Sequence, residues 1–257
     1  MTIIEIRERV RFHLDRVASP RWGNTRLSYG IQVATDDFVQ DRYDNIKNAQ
    51  KKYAFETVER LRAEIRTIVL ALPLIPVLDV LTLPADYRYD VGLSVVIAGI
   101  TKNSRPGSIS ETLGSFSNSH TRPNDDYPIH NEIGNTIVVN HGQFNAFTAA
   151  ILYYIRQHLI PYISEPRSSG TPLTTVTTHY VETGSIVYDT ATYNAGDYFT
   201  TTAITVFTGA GTVSEIQSVE LPNTSHEEIA KRTATILSGN VHNFEKFGVK
   251  EKEVEGN

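Results

Sequence analysis

The sequence predicts an α+β fold: an N-terminal helical bundle, a central, mostly antiparallel β region with long loops, a small Thr-rich β module and a C-terminal helix. Three observations carry that expectation. Apolar residues recur at three- and four-residue steps from Thr2 to Leu72, the period of a helix with one buried face. From Leu74 onward that period gives way to β-branched runs separated by Pro, Gly and Asn. Thirteen Thr then fall between Thr174 and Thr212, interleaved with Val, Ile, Tyr and Phe, which is strand composition. The boundaries that follow are 1–72 for the helical region and 73–170 for the β region, with a long loop at 101–134. The small β module takes 171–219, and 220–240 is a helix packing back on the helical region, followed by a tail at 241–257.

Each element has a local reason. Thr2-x-x-Glu5 is a capping box, in which the hydroxyl accepts from a free helix N–H and the carboxylate reaches back to the cap. Ile3, Ile6, Val10, Leu14 and Val17 form the first apolar stripe, which Ser19-Pro20 stops. Leu27, Ile31, Ala34 and Phe38 begin a second stripe. Tyr53, Val58, Leu61, Ile65, Ile68 and Leu72 make a third, with Glu56, Glu59, Arg60, Arg62, Glu64 and Arg66 on the exposed side.

Leu74 to Pro84 holds two further prolines, Pro76 and Pro84, among β-branched residues and suits an edge strand. Leu83 to Tyr87 reads as a turn and Val91 to Ile100 as a buried strand. Thr101 to Gly134 is rich in Ser, Asn, Gly, Pro and Asp, a loop of functional length. Ile137-Val138-Val139 and Ala149 to Ile155 resume strand patterning around a turn at Asn140-His141-Gly142. In the Thr-rich zone Ile186–Tyr188, Ala191–Tyr193 and Tyr198–Thr200 are short strands, and Asn194-Ala195-Gly196-Asp197 supplies a tight reversal. Ser225-x-x-Glu228 is a second capping box, with Ile229, Ile236 and Leu237 facing inward, Gly239 as the helix stop and a polar tail beyond.

Composition narrows the function classes. With 40% hydrophobic residues in 257 the chain can bury a real core. The absence of Cys removes disulfides, thiolate metal sites and a Cys nucleophile. No apolar run reaches the roughly 18 residues of a membrane span, and charges from Glu5 onward do not fit a signal peptide. The net charge of -5 argues against a dedicated nucleic-acid binder. Its distribution is uneven: Met1 to Arg66 carries 13 Lys/Arg against 10 Asp/Glu, whereas Ser168 to Ala230 has no Lys or Arg and seven acidic residues. That stretch is either a solvated surface or a face from which like charge repels nucleic acid.

Catalytic motifs are sparse. His120, Asp125, Asp126, His130, Glu132 and His141 have the residue types of a zinc or iron site, but no pair sits at helical i, i+4 spacing. A metal-dependent hydrolase using His120, His130 and His141 is the enzyme alternative. There is no G-x-S-x-G, no G-x-x-x-x-G-K and no G-x-G-x-x-G. A carbohydrate-binding module would have Trp22 as its one Trp platform, in the helical end. Thirteen Tyr against one Trp and one Met is a contact-surface bias, because Tyr joins a rigid apolar ring to a polar tip. Tyr153-Tyr154 beside Arg156 offers ring area and a guanidinium together.

The order of these motifs resembles head–tail connector proteins (neck or ring adaptors) of tailed bacteriophages, most nearly those of the crAss-like phages of Bacteroides. The residues that carry it run over most of the chain. Leu83-Pro84-Ala85-Asp86-Tyr87-Arg88 stands before a strand. Pro123-Asn124-Asp125-Asp126-Tyr127-Pro128, Gly134-Asn135-Thr136-Ile137 and Tyr154-Ile155-Arg156 follow, with Gln157 to Ile160 separating the arginine from Pro161 more widely than the pattern has it. Gly184–Tyr188, Tyr193–Asp197 and Phe207-Thr208-Gly209 resemble a small virion β module, and Leu221-Pro222 with His226-Glu227-Glu228-Ile229 a connector C-terminus.

The resemblance implies a non-enzymatic virion protein without cofactor or metal, assembled in the host cytoplasm. It would form a ring of about twelve copies whose heterologous sides close on rotation. Portal, connector and tail proteins would be its partners, and DNA would pass through the lumen without sequence-specific binding or membrane contact. A tail-tube or terminator subunit is the neighbouring reading, which the helical first 72 residues disfavour. The expected assembly contacts are Asp125, Asp126, Tyr127, Tyr153, Tyr154 and Arg156, with the 101–134 loop as an inter-subunit arm.

Overall fold

The Thr2–Glu5 capping box forms as its residue types require: Thr2 N–H donates to Glu5 Oε2 at 2.7 Å, and Glu5 N–H donates to Thr2 Oγ1 at 3.3 Å. It opens the first helix of a computed structural model that describes residues 1–15, 22–51, 55–116, 122–142, 147–168, 170, 177–201 and 207–254. The helices are α1 (Ile3–Asp15), α2 (Asn24–Lys51), α3 (Phe55–Ile65), α4 (Ile109–Phe116) and α5 (Asn223–Val254). The strands are β1 (Val69–Leu74), β2 (Val80–Thr82), β3 (Tyr87–Ile97), β4 (Ile100–Pro106), β5 (Ile129–Ile133), β6 (Thr136–Asn140), β7 (Phe147–Arg156) and β8 (Tyr162–Ile163). They continue with β9 (Arg167–Ser168), β10 (Thr177–Thr183), β11 (Ser185–Tyr188), β12 (Ala191–Asn194), β13 (Tyr198–Thr201), β14 (Thr208–Gly209) and β15 (Thr212–Gln217). The fold class is α+β.

The chain makes two units. One is continuous, Ile68–Gln157; the other joins Met1–Thr67 to His158–Asn257. The boundary at the end of the N-terminal helices therefore falls a few residues before Leu72. α3 stops at Ile65, a 3-10 turn covers Arg66–Ile68, and Leu72 lies in β1. Pro73 is the cause: it offers no N–H to a helix and pushes Leu72 into extended backbone.

In the discontinuous unit α1 and α2 both pack on α5, α2 also on α3, and the short β8 lies against α2. Ile3, Ile6, Leu14, Leu27, Ile31, Phe38 and Ile65 are fully buried, which is the three-stripe pattern of the sequence. Arg42 ties three helices together: Nε meets Glu64 of α3 at 2.5 Å and one Nη meets Glu228 of α5 at 2.5 Å, while the guanidinium lies 4.3 Å over Phe38. The Thr-rich zone adds a sheet in the order β13-β10-β15-β8, with β9 also pairing β15, and a second of β12-β11-β14. Asn194–Asp197 forms the expected reversal, with Gly196 at φ 99°.

Three expectations at the C-terminus are corrected. α5 runs through Gly239 to Val254, so Gly239 is no stop and 241–254 is helical backbone. Neither side chain of the Ser225-x-x-Glu228 box caps. The Ser225 hydroxyl donates to the Glu64 carbonyl, and Glu228 binds Arg42 and Arg232. The helix begins earlier, at Asn223 after Pro222. Ser19-Pro20, Val17 and Tyr53 lie outside the described residues.

The continuous unit is one seven-stranded sheet in the order β1-β7-β3-β4-β5-β6-β2. β1 and β2, consecutive in sequence, occupy its two edges, which accounts for the proline-rich run between and around them. The core is drawn from both ends of that order: Leu81, Ile137 and Val139 join Leu93, Val95, Ile97, Ala150, Leu152 and Tyr154. The region 101–134 is not one loop. It contains β4, α4 and β5, and leaves Arg122–Pro128 as the described irregular stretch. β4 carries no apolar alternation: five of its seven residues, Ile100 to Pro106, are polar or charged and only Ser104 is buried. Its pairing with β5 is parallel, the exception to the antiparallel ladder.

Candidate functional site

Arg122 to Pro128 is held by its own asparagine. Asn124 Oδ1 accepts the backbone N–H groups of Asp126 at 2.9 Å and Tyr127 at 3.0 Å, and Arg105 N–H donates to the Pro128 carbonyl at 2.9 Å. The turn leaves the Tyr127 ring 75% exposed. Beside it opens a cleft of about 310 Å³ lined by Asn103, Arg105, Arg122, Asn124, Tyr127, Pro128 and Ile129. Both carboxylates of the Asp125-Asp126 pair are drawn elsewhere. Asp126 accepts from Lys102 Nζ at 2.8 Å. Asp125 lies 3.4 Å from His141 Nδ1, whose other ring nitrogen meets Asp79 at 3.2 Å. A Cβ at Gly142 would stand 2.4 Å from the Asp125 carboxylate, so a larger residue there would have to displace that side chain.

The second expected group divides. Alternation along β7 sends Tyr153 and Tyr154 to opposite faces. Tyr153 is 38% exposed on the outer face, near Ile151 at 39%. Tyr154 is buried, stacked on Tyr87 at 5.8 Å, with its hydroxyl donating to Asp86 at 3.0 Å. Burial, then Asp86, raises its pKa. Arg156 is half-buried at the end of β7, where its guanidinium donates to the Gln157 carbonyl at 3.2 Å. β3 and β4 stand between β7 and β5, the strand that Asp125–Tyr127 lead into, and three steps of ~4.8 Å put those two strands about 14 Å apart. The fold does not merge them into one patch.

The histidines considered for a metal have separate partners. His130 is buried, with Nδ1 at 3.0 Å from Ser104 Oγ and Nε2 at 3.3 Å from Asp90. The three side chains make a Ser–His–Asp chain across β4, β5 and β3, but Ser104 is itself only 7% exposed, so the arrangement closes a polar corner of the core. His141 sits between Asp125 and Asp79, and Glu132 accepts from the Tyr87 hydroxyl. His120 lies outside the described residues, among which no group of three His, Asp or Glu is placed to hold a metal ion.

Apolar residues expected in an edge strand and in a loop stand in solvent. Val77 and Val80 exchange backbone hydrogen bonds of 2.9 and 3.1 Å around Leu78 (φ 52°) and Asp79 (φ 62°), a tight turn with both central residues left-handed. It displays Ile75 at 85%, Val77 at 71% and Leu78 at 92% exposure. On α4, Ile109, Leu113 and Phe116 are also exposed, at the i, i+4, i+7 spacing of one helix face. That spacing was visible in the sequence within the stretch read as loop.

The segregated charge is largely resolved inside the discontinuous unit. Glu182 pairs with Arg7 at 3.5 Å, Glu215 with Arg167 at 3.0 Å, Glu227 with Arg9 and His13, and Glu228 with Arg42 and Arg232. Asp189 and Asp197 remain exposed at turns. Among the described residues no helix is long and apolar enough to cross a membrane. Compared with models of protein families and with curated proteins, the chain matches none.

Proposed function

We propose that the chain is a structural subunit of a phage head–tail connector, located in the virion and assembled as a ring of about twelve copies between portal and tail. Two lines of support meet in this reading. The first is the order of motifs from Leu83-Pro84 to the Leu221-Pro222 helix, which resembles connector proteins. The second, and the one that carries most weight, is the hairpin at Leu78. Exposed apolar groups gain nothing from water, and a cluster of them on a rigid turn serves a partner. The α4 stripe of Ile109, Leu113 and Phe116 is a second apolar surface, and a rotationally closed ring needs two different sides on every subunit. A standard contact takes about 800 Å² from each partner, so these patches would be the apolar centres of larger interfaces.

The test is assembly. Purified protein, alone and mixed with a portal ring, is sized by light scattering and imaged in negative stain. A closed ring with a central hole is expected. A chain that stays monomeric at the highest attainable concentration and adds nothing to the portal ring overturns the reading.

A further inference from the structure

The cleft beside Tyr127 is built almost wholly from donors. Arg105 and Arg122 bring two guanidinium groups, each a planar fork of five N–H donors. No carboxylate lines the space, and neither arginine pairs with a carboxylate among the described residues. Asn124 spends its carbonyl oxygen on the Asp126 and Tyr127 N–H groups, so its NH2 is what it has left to offer. Asn103 accepts from Ser94 Oγ at 3.0 Å through its own carbonyl oxygen, with the same consequence. The Tyr127 hydroxyl is a further donor. These groups are anchored: Asn103 and Arg105 are on β4, which pairs with β3, and the Asn124 turn fixes Tyr127.

We infer that this cleft binds a nucleotide, its phosphate held between Arg105 and Arg122 and its base laid on the Tyr127 ring. A planar carboxylate saturates one guanidinium fork; a tetrahedral phosphate offers three oxygens and an additional charge to two. The exposed aromatic ring next to paired arginines matches the way nucleotides are gripped, by stacking on the base and charge on the backbone. Pro128 and Ile129, both buried, supply an apolar floor. A volume of about 310 Å³ is of the size that small ligands occupy. The phosphate can arrive on a free nucleotide or in a single strand, and the chemistry of the cleft is the same for both. This inference stands apart from the ring reading: a monomeric nucleotide binder and a nucleotide-free ring are separate outcomes.

The experiment titrates the full chain with a short fluorescein-labelled oligothymidylate, competing with thymidine monophosphate and with inorganic phosphate. Saturable binding is expected, weakened roughly tenfold or more in Arg105→Ala and in Arg122→Ala, and roughly five- to tenfold in Tyr127→Ala. Inorganic phosphate should compete more weakly and be indifferent to Tyr127→Ala. A strand that binds where the monophosphate fails, with the same arginine dependence, places the phosphate in a strand and supports the inference. All three side chains are exposed, so unchanged melting temperatures will show that the variants fold. The inference is overturned if none of the three ligands saturates, if binding survives both arginine substitutions, or if Tyr127→Ala leaves the binding of oligothymidylate and monophosphate unchanged.

Discussion

His179 shows what one buried side chain does to the whole stability curve. Its ring is fully buried in the Thr-rich module, stacked on Phe199 at 5.2 Å and edge-on to Phe207 at 6.3 Å. Nε2 meets Thr201 Oγ1 at 3.1 Å, while Nδ1 has no hydrogen-bond partner among the described residues. Burial first, and then the Arg167 charge, lowers its pKa from 6.5 to about 4. Above pH 6.5 the ring is neutral whether the chain is folded or not. Between pH 6.5 and about 4 the unfolded chain takes up a proton that the folded one refuses, so stability falls with pH; below about 4 this contribution levels off. The gap corresponds to about 3 kcal/mol. Thermal melts from pH 7 to pH 4 should therefore drop more steeply for wild type than for His179→Gln. His226, whose pKa burial also lowers, keeps a slope of the same sign in the variant. Parallel curves for the two proteins would refute the assignment.

Among the elements, α5 and α2 test opposite uses of glycine. A Cβ at Gly239 would meet nothing within 4 Å, and the residue is exposed inside a continuous helix. Gly239→Ala should stabilise by about 0.5–1 kcal/mol, read as a higher midpoint in urea. At Gly30 of α2 a Cβ would press on Thr233 at 3.1 Å and Leu237 at 3.2 Å of α5, so Gly30→Ala should lower the midpoint by wedging the pair apart. Elements were legible where local pattern and burial agreed. The stripes Ile3–Leu14 and Leu27–Phe38 read correctly because one helical face is buried. β4 did not, since pairing on both sides holds its polar residues in place and no periodicity reports that. The candidate site was half legible. Tyr127 stood out, but Arg105 and Arg122 become neighbours only when the parallel β4–β5 pairing draws their segments together. Tyr153 and Tyr154 looked like one patch because composition does not record which face of β7 each takes.

At the scale of the whole molecule, charge and apolar surface follow different rules. Acidic residues of the Thr-rich zone find arginines within their own unit, whereas several apolar side chains of the continuous unit find nothing of their own. Leu78 is the sharpest instance, and it decides between fold and function. Its φ of 52° is one that Asn and Gly accept readily, while a branched L side chain there costs about 1 kcal/mol. At 92% exposure the isobutyl group recovers none of that by burial. Its own fold would be served as well or better by asparagine. Leu78→Asn should keep or raise the melting temperature by relieving the turn, and at the same time shift the oligomer toward smaller species in sedimentation velocity. If melting temperature and assembly fall together, the leucine serves its own hairpin. If the melting temperature rises and assembly is unchanged, the hairpin is not the ring contact. Only a separation of the two, stability held and assembly lost, fits a leucine kept for a neighbouring subunit.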